Sequence, residues 1–190
     1  MKMKQILLMA SILVSNAYRA QSTISLEQAY EYFKMTDGIP ETVTYVKDVN
    51  NRLNQFVGTW AGSYGGKNYR FEFVKKLRFG NYSVKWDKLI GRVLITNNGN
   101  VIYNSFDVTD DNKTYLWGHT IQKRLYVLSF VANSYCNDSG DVFIEIDKSN
   151  PNKMYLHFDR DKGIYNPEKC PNYETYVPLL PKEKMVLIKQ

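Results

Sequence analysis

The chain has 190 residues, of which 44% are hydrophobic and 14% aromatic, with two cysteines and a formal net charge of +6. That composition excludes a disordered chain, and the length suits one domain with a sizeable core. Lysine and arginine are spread along the sequence rather than clustered, which argues against a nucleic-acid partner.

Lys2 and Lys4 precede a largely apolar stretch from Ile6 to Val14, too short to span a bilayer, and small residues follow. This is the layout of a secretory signal, and residues 1–20 are read as one. Cleavage falls after Ala17 or after Ala20. Removal takes away Lys2, Lys4 and Arg19 and no acid, which halves the positive surplus. No cysteine follows the apolar stretch, so no lipid anchor is expected, and the mature chain offers no transmembrane segment. The protein is therefore expected to be exported, either periplasmic or secreted. In such a compartment Cys136 and Cys170 are expected to form one disulfide; the alternative is two separate buried thiols.

Residues 21–54 read as an N-terminal helix and linker. Ser25-Leu26-Glu27-Gln28 fits a capping box, in which serine and glutamine side chains satisfy opposite backbone groups. Leu26, Tyr30 and Phe33 then share a helical face, and the helix ends before Gly38-Ile39-Pro40. Thr42 to Val46 is a short strand or extended linker.

From Phe56 the apolar period becomes two, and residues 55–190 read as a single β domain. Phe56, Gly58, Trp60 and Gly62 share one side of the first strand, and Gly65-Gly66 turns the chain. Tyr69, Phe71 and Phe73 alternate with Arg70 and Glu72. Leu89 to Ile95 follows, with Gly91 a bulge or point of close approach, and Asn98-Gly99 is a hairpin turn. Further strands are Val101–Phe106, Tyr115–His119, Arg124–Val131, Asp141–Asp147, Met154–Asp159 and Met185–Ile188. Lys162 to Leu180 is a long proline-bearing loop holding Cys170.

Short strands with short turns and few helices make parallel crossovers unexpected. The fold class is all-β: an antiparallel up-and-down barrel of eight to nine strands with a short N-terminal helix. Arg70, Glu72, Arg92, Asp141, Glu145 and His157 fall on one face, and Val142, Ile144, Ile146, Met154, Leu156 and Phe158 on the other. A charged outer face and an apolar interior are the reverse of a porin-like membrane barrel. Trp60, Tyr69, Phe71, Phe73, Tyr126 and Phe130 are the candidates to line an apolar cavity or to fill the core. For a barrel of this size the filled core is favoured.

A search for chemistry finds little. His119 and His157 lie on different strands, no third ligand has metal-site spacing, and the cysteines lack a Cys-x-x-Cys partner. No nucleophile elbow or phosphate loop occurs. Asp107, Asp110 and Asp111 lack the spacing, glycine and closing glutamate of a calcium loop and read as a charged turn. No catalytic residues, metal or cofactor are therefore expected, and the chain is not expected to be an enzyme.

Three stretches carry a resemblance: Phe56-Val57-Gly58-Thr59-Trp60, Leu89-Ile90-Gly91 running into Ile95-Thr96-Asn97-Asn98-Gly99, and the terminal Pro181-Lys182-Glu183-Lys184-Met185-Val186-Leu187-Ile188-Lys189-Gln190. Together they resemble an uncharacterised family of short exported bacterial proteins with a lipocalin-like, calycin-type domain. The resemblance covers about residues 55 to 190. It implies that Gly58, Thr59 and Trp60 form the structural motif opening the barrel, with Trp60 filling its closed end. Lipocalins often pack an arginine from the last strand over that ring; here the last strand offers only Lys184 and Lys189. The family supplies no catalytic residue. The expected function is a binding protein for a small apolar molecule; the alternative is an interaction or inhibitor protein working through its loops over a filled barrel. The chain is expected to be a monomer.

Overall fold

Ser25 caps the first helix as its sequence requires. Its hydroxyl accepts from the Gln28 amide at 3.1 Å, and its own amide donates to Gln28 Oε1 at 2.8 Å. The computed structural model describes residues 22–163 and 165–190, so residues 1–20, read from the sequence as a signal, lie outside the described residues.

In chain order the elements are β1 (Ser22–Ser25), α1 (Leu26–Phe33), β2 (Val43–Lys47), β3 (Gly58–Tyr64), β4 (Lys67–Phe79), β5 (Lys85–Asn97), β6 (Asn100–Asn104), β7 (Leu116–Gln122), β8 (Leu125–Asn133), β9 (Asp138–Ile146), β10 (Lys153–Arg160) and β11 (Met185–Lys189). Eight of them, β3, β4, β5 and β7 to β11, make a closed all-β barrel. Neighbours pair antiparallel, and β11 closes the ring between β10 and β3. The β5–β7 seam is thin, with Ile90 opposite Trp117 as its paired position.

Three strands lie off the ring: β6 and β2, both read as strand segments in the sequence, and β1, which is not. β6 pairs only with the end of β5. Val101 and Ile102 are exposed, so β6 has no alternation to bury; Tyr103 packs edge-on against Phe130 at 6.1 Å. β1 and β2 pair in parallel, and β2 pairs in parallel with the start of β5. Parallel crossovers are thus present after all, because the helix joining β1 to β2 is long enough to carry the chain back. The helix buries Leu26 and Ala29, while Phe33 is 53% exposed. Its inward stripe is therefore Leu26, Ala29 and Tyr32, which shares Leu26 with the expected face and leaves Phe33 outside.

The alternation seen in the sequence sets the two faces of the wall. Tyr69, Phe71, Phe73, Val142, Ile144, Met154, Leu156 and Phe158 are buried inside, and Arg70 and Glu72 point out. The N-terminal segment shares this core: Ile24, Leu26, Leu53 and Phe56 belong to the same apolar cluster as the barrel. At that end two buried carboxylates, Asp48 and Asp87, join the segment to the wall.

Candidate functional site

The interior holds rings. Trp60, Tyr69, Phe71, Phe73, Tyr126 and Phe130 are all 3% exposed or less. Tyr69, Phe71 and Phe73 stack along β4 with centroids 6.5 and 6.0 Å apart. Phe56 stacks on Tyr126 at 5.9 Å, and Phe158 meets Phe130 edge-on at 5.9 Å. The Tyr126 hydroxyl accepts from the Leu89 amide at 3.2 Å. Burial pushes the Tyr69 phenol up to about 12.

At the closed end β3 opens with Gly58 at φ +122, a conformation that disfavours a side chain. A Cβ there would also stand 3.2 Å from Lys189 Cε. Thr59 is half-buried, and Trp60 donates its indole N–H to the Phe56 carbonyl at 2.7 Å. Lys189 Nζ lies 5.3 Å from the centre of the Trp60 ring.

The open end is crossed by the long loop between β10 and β11. Cys136 and Cys170 are bonded and buried, with Cα atoms 5.2 Å apart. Asp138, 0% exposed, accepts from the Tyr176 hydroxyl at 2.8 Å and the Leu179 amide at 3.1 Å. Burial and the Asp138 hydrogen bond push the Tyr176 phenol above its ordinary range. The Tyr69 hydroxyl donates to the Leu179 carbonyl at 3.2 Å, and Leu180 drops into the core. The loop therefore stoppers the mouth from above as Trp60 and Phe56 fill the floor from below.

A groove of about 510 Å³ lies on the outer wall, over the thin β5–β7 seam. Its apolar lining is Phe33, Phe79, Tyr82, Trp86 and Trp117. Phe33 stacks on Trp86 at 5.9 Å with ring planes 5° apart. Lys88, His119 and Ser129 supply polar groups. His119 Nε2 is 3.3 Å from Asp141 Oδ1, and Asp141 sits opposite Ser129 in the β8–β9 register. Among the described residues His119 makes no hydrogen bond to Ser129, so histidine and carboxylate meet without an activated nucleophile. Among the same residues no group of three or more His, Cys, Asp or Glu could hold a metal ion.

The family described as "Family of unknown function (DUF6705)" has a model that matches residues 1–190. The chain belongs to DUF6705. No curated protein and no solved structure matches it. In this DUF6705 chain the groove residues come from α1, the end of β4 and the turn after it, β5, β7 and β8, which no local motif links. Of them, the sequence points to Phe33 as part of a helix face and to His119 as an isolated base, and to none as part of a groove. The available signal was Trp86, Lys88 and Trp117 in the outward register, two large rings and a cation.

Proposed function

We propose that this protein is an exported, monomeric binding protein whose barrel is a filled scaffold and whose ligand or partner is met by its outer surface. The ring-filled interior carries this reading. Seven large rings, Phe56, Trp60, Phe71, Phe73, Tyr126, Phe130 and Phe158, have exposures below 2%. Rings packed at these distances leave the space that a carried molecule would need already occupied. The stoppered mouth supports the same reading, since an interior ligand would have to displace Leu180 and the Asp138 hydrogen bonds. The Cys136–Cys170 bond and the basic-then-apolar start of the sequence support export. Lys189 over Trp60 supports the lipocalin-like kinship.

The test is an NMR titration with 1-octanol, an uncharged apolar molecule. The expected result is no shift at the methyls of Leu128, Ile144 and Leu156, which line the interior. Saturable shifts at those methyls would show an interior site and overturn the filled-scaffold reading.

A further inference from the structure

Lys88 is a half-buried cation on the outer wall, and its ammonium stands 5.9 Å from the Phe79 ring centre in the aromatic groove. Among the described residues it has no carboxylate within ion-pair distance and no hydrogen-bond partner for its ammonium. Residues 1–21 and Ile164 include no Asp or Glu, so the rest of the chain offers none either. Its cross-strand neighbour is another cation, Lys76. The nearby Asp111 is already engaged: Lys76 holds one oxygen at 2.7 Å and Arg92 the other at 2.8 Å. Two lysines directly opposite one another are unfavourable on a sheet, and a cation partly withdrawn from water needs a counter-charge. Burial lowers the Lys88 pKa, as expected for an ammonium without one.

The same groove presents flat apolar surface. Phe33 is 53% exposed and Tyr82 83% exposed, and Trp86 and Trp117 line the groove with them. Solvent-facing rings gathered around one unpaired cation form a site complementary in both shape and charge.

We propose that this groove binds a small aromatic carboxylate, with its ring system against Phe33, Trp86 and Trp117 and its carboxylate on the Lys88 ammonium. The inference rests on the reading that the outer surface is the binding surface, and it names the chemistry of that surface. Trp86 and Trp117 serve as built-in reporters, since an aromatic ligand against them alters their fluorescence.

The experiment compares 2-naphthoate with 2-naphthamide, its uncharged counterpart, by tryptophan fluorescence and amide NMR on the full chain. The expected result is saturable binding of naphthoate, with shifts at Trp86–Lys88 and Trp117–His119. Naphthamide is expected to bind at least about tenfold more weakly, the factor that a lost charge-assisted contact gives. Lys88→Gln should abolish that preference without lowering the melting temperature, since it also removes the opposed charge at Lys76. Phe33→Ala, at an exposed position, should weaken both ligands alike. Equal binding of the two ligands, an undiminished preference in Lys88→Gln, or no binding of naphthoate would each overturn the proposal while leaving the filled scaffold standing. Shifts confined to interior residues such as Leu128 and Leu156 would overturn both readings.

Discussion

Tyr45 donates its hydroxyl to Asp87 Oδ1 at 2.6 Å, and through that bond the N-terminal segment is fastened to the barrel wall. Asp87 Oδ1 also accepts from the Arg78 amide, and its Oδ2 accepts from the Asp48 amide at 3.0 Å. Asp48 in turn accepts from the amides of Arg52 and Leu53 at 2.7 and 3.0 Å and from Lys75 Nζ at 2.7 Å. Both carboxylates are almost fully buried, 4% and 1% exposed, and their oxygens are satisfied by donors. A network of this kind is stable whole and costly in part.

Asp48→Ala is accordingly expected to be among the most damaging changes outside the ring core. It leaves two amides without an acceptor and Lys75 with Asn54 Oδ1 alone in place of a carboxylate. Breaking a buried ion pair from one side typically costs about 3–5 kcal/mol. A urea midpoint within error of the parent would show that Lys75 and the amides find water instead.

Trp60→Ala is expected to cost about 3–5 kcal/mol, as for a buried large aromatic. Trp60 is 0% exposed, and its loss also strands the Phe56 carbonyl and uncovers Lys189. Chemical denaturation of the purified variant reads this directly. An unchanged midpoint would remove Trp60 from the floor of the barrel.

The Cys136–Cys170 bond closes a loop of 34 residues in sequence separation. The chain-entropy account assigns such a loop roughly 4 kcal/mol. The Cys136→Ser/Cys170→Ser double variant should melt lower by a corresponding amount, with faster amide exchange at Tyr176 and Leu179 than in the β4–β5 hairpin. Alkylation of native protein without reduction should label neither cysteine. Two labels per chain would mean that the bond is not formed in the exported protein.

Stability should fall at alkaline pH. Burial, with the Asp87 hydrogen bond added, raises the Tyr45 phenol from 10.0 to about 12, and burial does the same for Tyr69. Between those values the folded chain keeps protons that the unfolded chain releases. The stabilising contribution is therefore fully present below pH 10.0 and is lost as pH rises through about 12. Denaturation midpoints across this range should decline and then level off, while phenolate absorbance shows a late-titrating fraction. Midpoints that stay flat between pH 10.0 and about 12 would place both hydroxyls in contact with water.

The ring of strands was legible because its cause is local. Tyr69-Arg70-Phe71-Glu72-Phe73 alternates residue by residue, and Asn98-Gly99 turns the chain with φ values of 48 and 82. Gly91 lies under the side chains of its flanking-strand neighbours Phe73 and Leu116, and the β4–β5 register runs past it unbroken, so it is the close approach and not the bulge. The helix start was equally local, a four-residue exchange of hydrogen bonds. β1 was not legible, since four residues carry no period and its partner lies beyond the helix. The buried carboxylates and the groove were invisible for the same reason. Asp87 looks like any strand aspartate until Tyr45 is brought to it, and Trp86 and Trp117 become one surface only when β5 meets β7.

β11 is the keystone of the ring. Until residues 185–189 emerge, β10 and β3 each present an unpaired edge, and Lys189 cannot reach Trp60. A sheet lacking β11 would leave those two borders unguarded. The longest-range strand pairing of the ring joins positions 60 and 189, and contacts of such separation slow folding. Any factor that escorts this protein before folding has those two borders to cover.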